Sequence, residues 1–182
     1  RIWNKHKQTN TPLKRKVFVA MSGGVDSSVA AALLKKQGFF VVGVFMKPWQ
    51  DKSIRCLWQK DREDAMRVAS KLDIPLLTWD FSKEYGRKVT RYMIRAYQRG
   101  ITPNPDAMCN KEIKFGIFFK RAMEEGADFI ATGHYARLRR EFPISNSQFL
   151  NKSKIKNSKQ ETIRLLKARD TNKDQTYFLW TL

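Results

Sequence analysis

Two glycines, three serines and one aspartate follow directly after a short apolar run, in an order that suits phosphate binding. The run Val17–Met21 leads into Ser22-Gly23-Gly24-Val25-Asp26-Ser27-Ser28, which is typical of a strand, a tight loop and a helix start. The glycines let a phosphate approach the main chain closely. Loop N–H groups, serine hydroxyls and the helix N-terminus then favour an anion. No lysine follows the glycines as in a Walker loop, and an acid at Asp26 beside phosphate implies an intervening Mg²⁺.

A second stretch with chemical potential is Asn104-Pro105-Asp106-Ala107-Met108-Cys109-Asn110. Its prolines stiffen a loop on which Asn104 and Asp106 present amide and carboxylate groups that suit the edge of a base. We expect Asn110 to cap the next helix, which would place Cys109 near a helix N-terminus and two lysines. Both surroundings favour a thiolate. A single cysteine can equally be a small buried residue, and the local sequence leaves the two interpretations open.

The elements around these stretches alternate between strand and helix. Apolar periodicity predicts four strands, Val17–Met21, Phe39–Phe45, Leu76–Trp79 and Phe129–Thr132, and four helices, Ser27–Gln37, Asp61–Leu72, Lys83–Arg99 and Lys111–Glu125. Such alternation indicates a parallel sheet covered by helices on both faces. Ligands bind beyond the carboxyl ends of such strands. We therefore expect the loops Ser22–Asp26 and Gly133–Tyr135 to meet at one site.

The net charge and the cysteine content of the chain indicate its class of partner and its compartment. The 182 residues include 36 Lys and Arg against 17 Asp and Glu, a formal charge of +19, which favours a polyanion, with RNA the leading candidate. A generally basic proteome or a solvated tail is the alternative. The two cysteines, Cys56 and Cys109, indicate a reducing compartment such as the cytoplasm. No apolar run approaches the ~20 residues of a membrane span, so we expect no membrane association.

Two segments lie outside the alternating pattern, and one helix carries a basic stripe. Residues 1–15 hold five basic residues and no acid, which predicts a mobile basic arm. Residues 139–160 are polar and predict a flexible or hairpin insertion.

Within the helix Lys83–Arg99, arginines recur at four-residue steps, at Arg87, Arg91, Arg95 and Arg99. The alternative is an ordinary solvated face. Glu84 is the only acidic residue in this helix that could balance the charge of the arginines, which favours contact with phosphates.

The motifs occur in an order that resembles one enzyme family. SGGxDS resembles the pyrophosphatase loop of enzymes that split ATP between its α and β phosphates, including GMP and NAD synthetases. The narrower signal is Asn104-Pro105-Asp106 with Cys109-Asn110-Lys111 and Ile113-Lys114-Phe115, then Ala131-Thr132-Gly133-His134-Tyr135 and Asn172-Lys173-Asp174-Gln175. Together these resemble the tRNA-specific 2-thiouridylases over 16–182. The fold implied is α/β, a Rossmann-like parallel sheet of the adenine nucleotide alpha hydrolase-like PP-loop ATPases.

The resemblance implies roles for individual residues. ATP would lie on Ala20, Met21, Ser22, Gly23, Gly24, Val25, Asp26 and Ser27, with Met46 and Gly133 at the adenosine. Asp26 resembles a metal-linked acid for Mg²⁺, and Cys109 resembles the nucleophilic cysteine. The tRNA would meet Asn104, Pro105, Asp106, His134, Lys173, Asp174 and Gln175. A persulfide sulfur donor protein is the implied second partner.

One departure from the family pattern affects the expected activity. The family continues with a second cysteine that carries the persulfide, a central domain and a β-barrel, none of which precedes the end at Leu182. We expect this chain to adenylate tRNA but not to thiolate it alone, and Cys56 to be structural. The alternatives are another ATP-pyrophosphatase, such as a GMP-synthetase-like amidating enzyme, and a catalytically silent tRNA-binding domain.

Overall fold

Four parallel strands form the central sheet of the computed structural model, which describes residues 14–49, 58–141 and 162–181. The strands are β1 (Lys16–Ala20), β2 (Phe40–Lys47), β3 (Leu76–Asp80) and β4 (Phe129–Ala131). Their order across the sheet is β3-β2-β1-β4, with every neighbouring pair parallel. The chain therefore crosses over between strands, and β1 lies between β2 and β4.

Helices connect the strands and cover both faces of this sheet. Their bounds are α1 Val25–Lys36, α2 Trp58–Lys71, α3 Ser82–Tyr85, α4 Arg91–Gln98, α5 Pro105–Cys109 and α6 Phe118–Glu124. Alternate residues of β1 point to opposite faces. Val17 and Val19 pack in the cluster that contains Ala31 of α1, whereas Phe18 packs with Trp79 and with Phe118 of α6. The predicted two-faced α/β architecture is confirmed.

The two long helices on the second face each contain a π-helical stretch. Gly86–Thr90 joins α3 to α4, and Asn110–Ile117 joins α5 to α6, with helical backbone angles at each junction. The predicted helix Lys83–Arg99 is thus present, but its hydrogen bonding widens at Gly86–Thr90. Such widened turns are frequent at functional sites.

The start of the helix that carries Cys109 differs from the sequence expectation. Asn104, not Asn110, is the N-cap, and its side-chain oxygen accepts a hydrogen bond of 3.0 Å from Ala107 N. Pro105 takes the first helical position, where its missing N–H costs nothing. The helix therefore begins six residues earlier than predicted, at Pro105 instead of Lys111, and Asn110 lies within it, 3% exposed.

A small antiparallel hairpin follows the main sheet. Its strands are β5 (Arg137–Glu141) and β6 (Thr162–Leu166), with Leu138 opposite Leu165. β5 takes in residues 139–141 of the predicted insertion, and β6 begins two residues after its end. The remaining part of that insertion, most of the basic arm and Cys56 lie outside the described residues. No helix within the described ranges is long and apolar enough to cross a membrane.

Two adjacent phenylalanines of α6 provide a test of this packing. Phe118 is fully buried against Trp79, with ring centroids 5.7 Å apart, while Phe119 is 46% exposed. Phe118→Ala should lower the free energy of unfolding by about 3–5 kcal/mol because it leaves a cavity. Phe119→Ala is the matched control and should cost less than about 1 kcal/mol. Equal shifts of the urea unfolding midpoint in both variants would contradict the orientation of α6.

Candidate active site

A cleft of about 680 Å³ opens at the carboxyl ends of β1, β2 and β4. It brings together most of the residues that the sequence singled out. The predicted residues that line it are Ala20, Met21, Ser22, Gly24, Val25, Asp26, Ser27, Met46, Asp106, Cys109, Gly133, His134 and Gln175. The expectation that the loops after β1 and β4 meet at one site is confirmed.

The loop between β1 and α1 has a backbone shape that requires glycine. Gly23 has φ of 82°, and a Cβ built on it would lie 2.5 Å from the carbonyl oxygen of Asp61. Gly24 is the N-cap of α1 and offers no side chain to cap the helix. The N-cap residue therefore accepts no side-chain hydrogen bond from the N–H groups in the first turn of α1. That leaves the helix N-terminus available to an anion.

The serine hydroxyls of this loop mainly hold the loop itself. Ser27 Oγ donates to Gly24 O at 3.1 Å, and Ser28 Oγ donates to the same oxygen at 2.7 Å. Ser27 is only 5% exposed and also accepts a hydrogen bond from Ser22 N at 3.3 Å. Ser22, in contrast, is exposed. The anion cradle thus consists of main-chain N–H groups and Ser22, on a frame built by Ser27 and Ser28.

Gly133, just beyond β4, closes the other side of this loop. A Cβ on Gly133 would lie 2.4 Å from Ser27 N and 2.7 Å from Ser27 Cα. Both atoms are backbone, so no side-chain adjustment relieves the contact. Glycine at this position is what lets the β4 loop rest on the first turn of α1.

Two carboxylates border the cradle. Asp26 lies in the first turn of α1 and Asp61 in the first turn of α2, and both are exposed and line the cleft. No group of three or more metal-ligating side chains occurs within the described ranges. One or two carboxylates completed by phosphate oxygens are a usual arrangement for Mg²⁺. The residues present therefore fit an ion that arrives with a polyphosphate.

Two lysines line the cleft, and they differ in whether a carboxylate pairs with them. Lys47 Nζ lies 2.9 Å from Asp80 Oδ2. Hydrogen bonds from Ser82, and then Lys47, lower the pKa of Asp80 to about 2, so this pair remains ionised. For Lys114, no carboxylate of the described part of the chain lies within ion-pair distance. Lys114 is therefore the lysine of the cleft whose charge is left for a bound anion.

The environment of Cys109 differs from the sequence expectation. Cys109 lies at the end of α5 rather than ahead of a helix, because the helix begins at Asn104. Burial raises the pKa of the thiol, Lys114 lowers it by a smaller amount, and Asp106 raises it again. The expected depression of the pKa by a helix N-terminus is therefore wrong. Cys109 rests as a neutral thiol at neutral pH.

His134 is held by both ring nitrogens. Asn110 Nδ2 donates to the Phe178 carbonyl at 3.4 Å, so Asn110 Oδ1 faces the ring and accepts from His134 Nε2 at 3.1 Å. The Thr132 hydroxyl then donates to His134 Nδ1 at 2.7 Å. Burial, followed by the charge of Lys114, lowers the pKa of His134 to about 4. His134 is therefore a neutral, oriented imidazole at pH 7.

The predicted residues near the C-terminal turns have clear structural contacts. Gln175 Oε1 accepts from Tyr135 N at 2.9 Å, which ties this turn to the β4 loop. Asp174 Oδ1 accepts from Ala168 N and Thr176 N, both at 3.1 Å, and the Thr176 hydroxyl hydrogen bond lowers its pKa most. Lys173 is exposed. Lys173 and Asp174 lie outside the lining of the cleft, as do Gly23, Asn104 and Pro105.

Sequence reasoning missed several residues that line the cleft. Asn110 was expected to be a helix cap and instead joins His134 to Phe178. Tyr85 and Trp49 also line the cleft and stack on each other. The aromatic types were visible in the sequence, but nothing in their spacing indicated that a helix would bring them together.

The four arginines of the basic stripe are all exposed. Arg91 and Arg95 lie in α4, whereas Arg87 lies in the π-helical stretch. Because that stretch has wider turns, the four-residue step from Arg87 to Arg91 does not repeat the geometry of the later steps. Among the described residues, no carboxylate lies within ion-pair distance of these guanidinium groups.

Comparison with known proteins identifies relatives. Residues 15–182 match the family model "tRNA methyl transferase HUP domain". The tRNA-specific 2-thiouridylase MnmA of Christiangramia forsetii is 46% identical over 172 residues, covering 92% of this chain and 40% of that protein. The protein of the same name from Lactiplantibacillus plantarum is 49% identical over 166 residues, covering 90% and 40%. The chain thus spans about 40% of the length of these curated relatives.

Solved structures show weaker likenesses. The U34-tRNA thiolase NcsA from Methanococcus maripaludis has 23% sequence identity and a TM-score of 0.48, over 66% of this chain and 39% of its own. NMN synthetase from Francisella tularensis has 21% identity and a TM-score of 0.41, over 66% and 45%.

The charge state of Cys109 can be measured directly. In a Cys56→Ser background, the rate of iodoacetamide alkylation should rise with a midpoint above the free thiol value of about 8.5, because burial raises the pKa. Lys114→Gln should move the midpoint further up, and Asp106→Asn should move it down. A midpoint below 8.5 in the parent would show that the thiol is activated at rest.

Proposed function

Because the chain belongs to the tRNA methyl transferase HUP domain family, we propose that it is the ATP-using domain of a tRNA 2-thiouridylase. The observation that carries this proposal is one cleft that joins the cradle after β1 to Cys109 and Asp106. Methyl transfer does not consume ATP and needs no polyphosphate cradle, whereas activation by ATP followed by sulfur transfer needs both the cradle and a thiol. The high identity to proteins named tRNA-specific 2-thiouridylase supports the same reading.

ATP would bind with its phosphates on the loop Ser22–Ser27. The uncapped start of α1 offers N–H donors, and Gly23 and Gly133 keep side chains out of that space. Met46, at the end of β2, lines the same cleft and would contact the adenosine together with Gly133. Mg²⁺ would be held by Asp26, with Asp61 nearby, and would supply positive charge to the pyrophosphate.

The first reaction would activate the uridine. Its oxygen at carbon 2 attacks the α-phosphate of ATP, an O–P bond forms, and the bond to the leaving pyrophosphate breaks. The uridine oxygen becomes part of an adenylate and hence a good leaving group. The chain contributes by holding two anionic reactants together and by supplying N–H donors and Lys114 to the phosphates.

The second reaction would replace that oxygen by sulfur from a persulfide on another thiol. Cys109 attacks the inner sulfur of the persulfide, so a disulfide forms while the terminal sulfur leaves with the electron pair of the broken S–S bond. That sulfur bonds to carbon 2, and AMP departs with the former uridine oxygen. Two thiol-level sulfurs are oxidised to the disulfide as the terminal sulfur is reduced, and an external thiol reductant returns Cys109 to its starting state.

Cys109 must lose its proton before that attack, because burial keeps it neutral at rest. Asp106 lies in the same short helix as Cys109 and lines the same cleft, and we propose that its carboxylate assists the removal of the proton. A resting neutral thiol also protects the cysteine from oxidation until the persulfide arrives. We propose a cytoplasmic location on the same ground of thiol chemistry.

The overall proposal is tested with the purified chain, ATP, Mg²⁺ and unmodified tRNA. We expect pyrophosphate release that depends on tRNA. After addition of a protein persulfide donor and the remaining domains of a full-length relative, mass spectrometry should show a gain of sulfur at a uridine. An amidated nucleotide would instead identify a GMP-synthetase-like enzyme. Absence of pyrophosphate release would identify a silent tRNA-binding domain.

Asp26 provides a first variant. Asp26→Asn should keep the fold, because the side chain is exposed, but should lower tRNA-dependent pyrophosphate release at least about tenfold, since charge support for a metal-linked phosphate is a large catalytic term. Asp73→Asn is the matched control, because the Asp73 side chain is fully exposed at the far end of α2. Unchanged turnover and Mg²⁺ dependence in Asp26→Asn would remove this carboxylate from the mechanism.

The basic stripe provides a second variant. If Arg91 and Arg95 hold tRNA phosphates, changing both to Gln should reduce the slope of log affinity against log salt by about 1.5, at roughly 0.7–0.9 per lost contact. Preference for substrate tRNA should barely change, since phosphates carry no base identity. Lys36→Gln with Lys71→Gln removes the same charge from the opposite face of the sheet. A parental slope in the arginine variant would mean that the tRNA is held elsewhere.

A further inference from the structure

We propose that Trp49 and Tyr85 form a stacking wall for a nucleobase, and that the RNA base presented to Cys109 occupies it. This inference rests on the proposed function, which supplies an RNA base to the cleft. The inference adds an aromatic pair, Trp49 and Tyr85, that would stack on a flat face of that base. The groups considered so far, such as Asp106 and Lys114, could contact it only along its edge.

The two rings are parallel and stack on each other with an offset, so that part of each aromatic face remains beside the cleft. Their centroids are 6.3 Å apart and their planes differ by 13°, which is a parallel, offset arrangement. Gly86 leaves room for this stacking: a Cβ there would approach Trp49 Nε1 to 3.3 Å. A side chain at this position would require the indole to shift by a few tenths of an ångström. The π-helical stretch begins at that same glycine.

The wall borders the part of the cleft that contains the nucleophile. Trp49 and Tyr85 line the cleft together with Asp106, Cys109 and Lys114. Tyr85 is half-buried and packs against the same core cluster as Cys109. Burial raises the pKa of Tyr85, with further contributions from Cys109 and Asp106. Because the phenol and the thiol line the same cleft and pack on the same cluster, a base on the wall would lie on the side of the cleft that contains Cys109.

The exposure of Trp49 distinguishes this wall from ordinary core packing. Trp79 is 3% exposed and contacts three core phenylalanines, whereas Trp49 is 38% exposed at the cleft. A large aromatic surface left open beside a nucleophile suits a flat apolar ligand. Base–aromatic stacking contributes about 1–3 kcal/mol per base and accepts any base, so the wall would supply affinity and leave discrimination to the groups at the edge.

The adenine of ATP has the same flat chemistry as an RNA base and is the other possible occupant. The RNA base is favoured because Tyr85 continues into the helix that packs on α5, where Asp106 and Cys109 lie. The cradle on β1 and α1 is meanwhile closed over by Gly133 of the β4 loop. ATP held there would have Met46 and Gly133 beside it, and both residues line the cleft near that loop.

The test compares two RNA hairpins, an anticodon stem-loop with uridine at the target position and the same hairpin with an abasic site there. Trp49→Leu and Tyr85→Leu should each weaken binding of the uridine hairpin by about tenfold, within the stacking range, and leave the abasic hairpin unchanged. Trp49→Phe should restore most of the loss. Trp180→Leu, which changes a 73% exposed tryptophan outside the cleft, should affect neither hairpin.

Other results would overturn the inference. Equal weakening of both hairpins would mean a structural or phosphate effect, and weaker ATP binding with unchanged base dependence would assign the wall to adenine. If the parent protein binds the uridine hairpin more tightly than the abasic one and Trp49→Leu keeps the same preference, the stacking role of Trp49 and Tyr85 is wrong. The proposed function is not affected by that result. If the parent neither distinguishes them nor releases pyrophosphate with tRNA, the proposed function itself fails.

Discussion

The site depends on one backbone contact, in which Gly133 rests on the first turn of α1. Because a Cβ at Gly133 would come within 2.4 Å of Ser27 N, the loops after β1 and β4 can be this close only with glycine there. The contact places His134 immediately beside the cradle. From His134, hydrogen bonds continue through Asn110 to Phe178. Three separate stretches of chain are thereby fixed around one cleft, and the position of the nucleophile beside Asn110 follows from that arrangement.

The early start of the α5 helix determines the chemistry of the nucleophile. With Asn104 as the cap, Ala107 N donates to the Asn104 side chain, and Pro105 at the first helical position has no N–H to offer. Cys109 therefore gains little from the helix dipole, which fades beyond the first turn, and burial raises its pKa instead. The same shift moves Asn110 into the helix interior, where its amide can reach His134. One cap thus sets both a resting neutral thiol and an oriented imidazole.

The sequence predicts the sheet and the turn after β1 well because both depend on local signals. Alternating apolar runs indicate the strands, and the glycines of Ser22–Ser28 indicate the turn that Gly23 adopts with φ of 82°. The start of α5 was equally local, since Asn followed by Pro is a strong helix-start signal, but Asn110 offered a competing cap. The contacts of Asn110 and the stacking of Trp49 on Tyr85 were out of reach, because they join residues far apart in sequence.

The balance of charge in the cleft explains why a metal-linked carboxylate is compatible with a phosphate site. His134 is neutral and Lys47 is paired with Asp80, so Lys114 and the N–H groups of α1 remain to face a polyphosphate. A triphosphate brings more negative charge than one lysine and a helix terminus offset. If Asp26 holds a divalent cation as proposed, that cation would supply the difference and would neutralise the carboxylate that otherwise repels the ligand. The acid that seems misplaced beside the glycines is, on this argument, the group that completes the site.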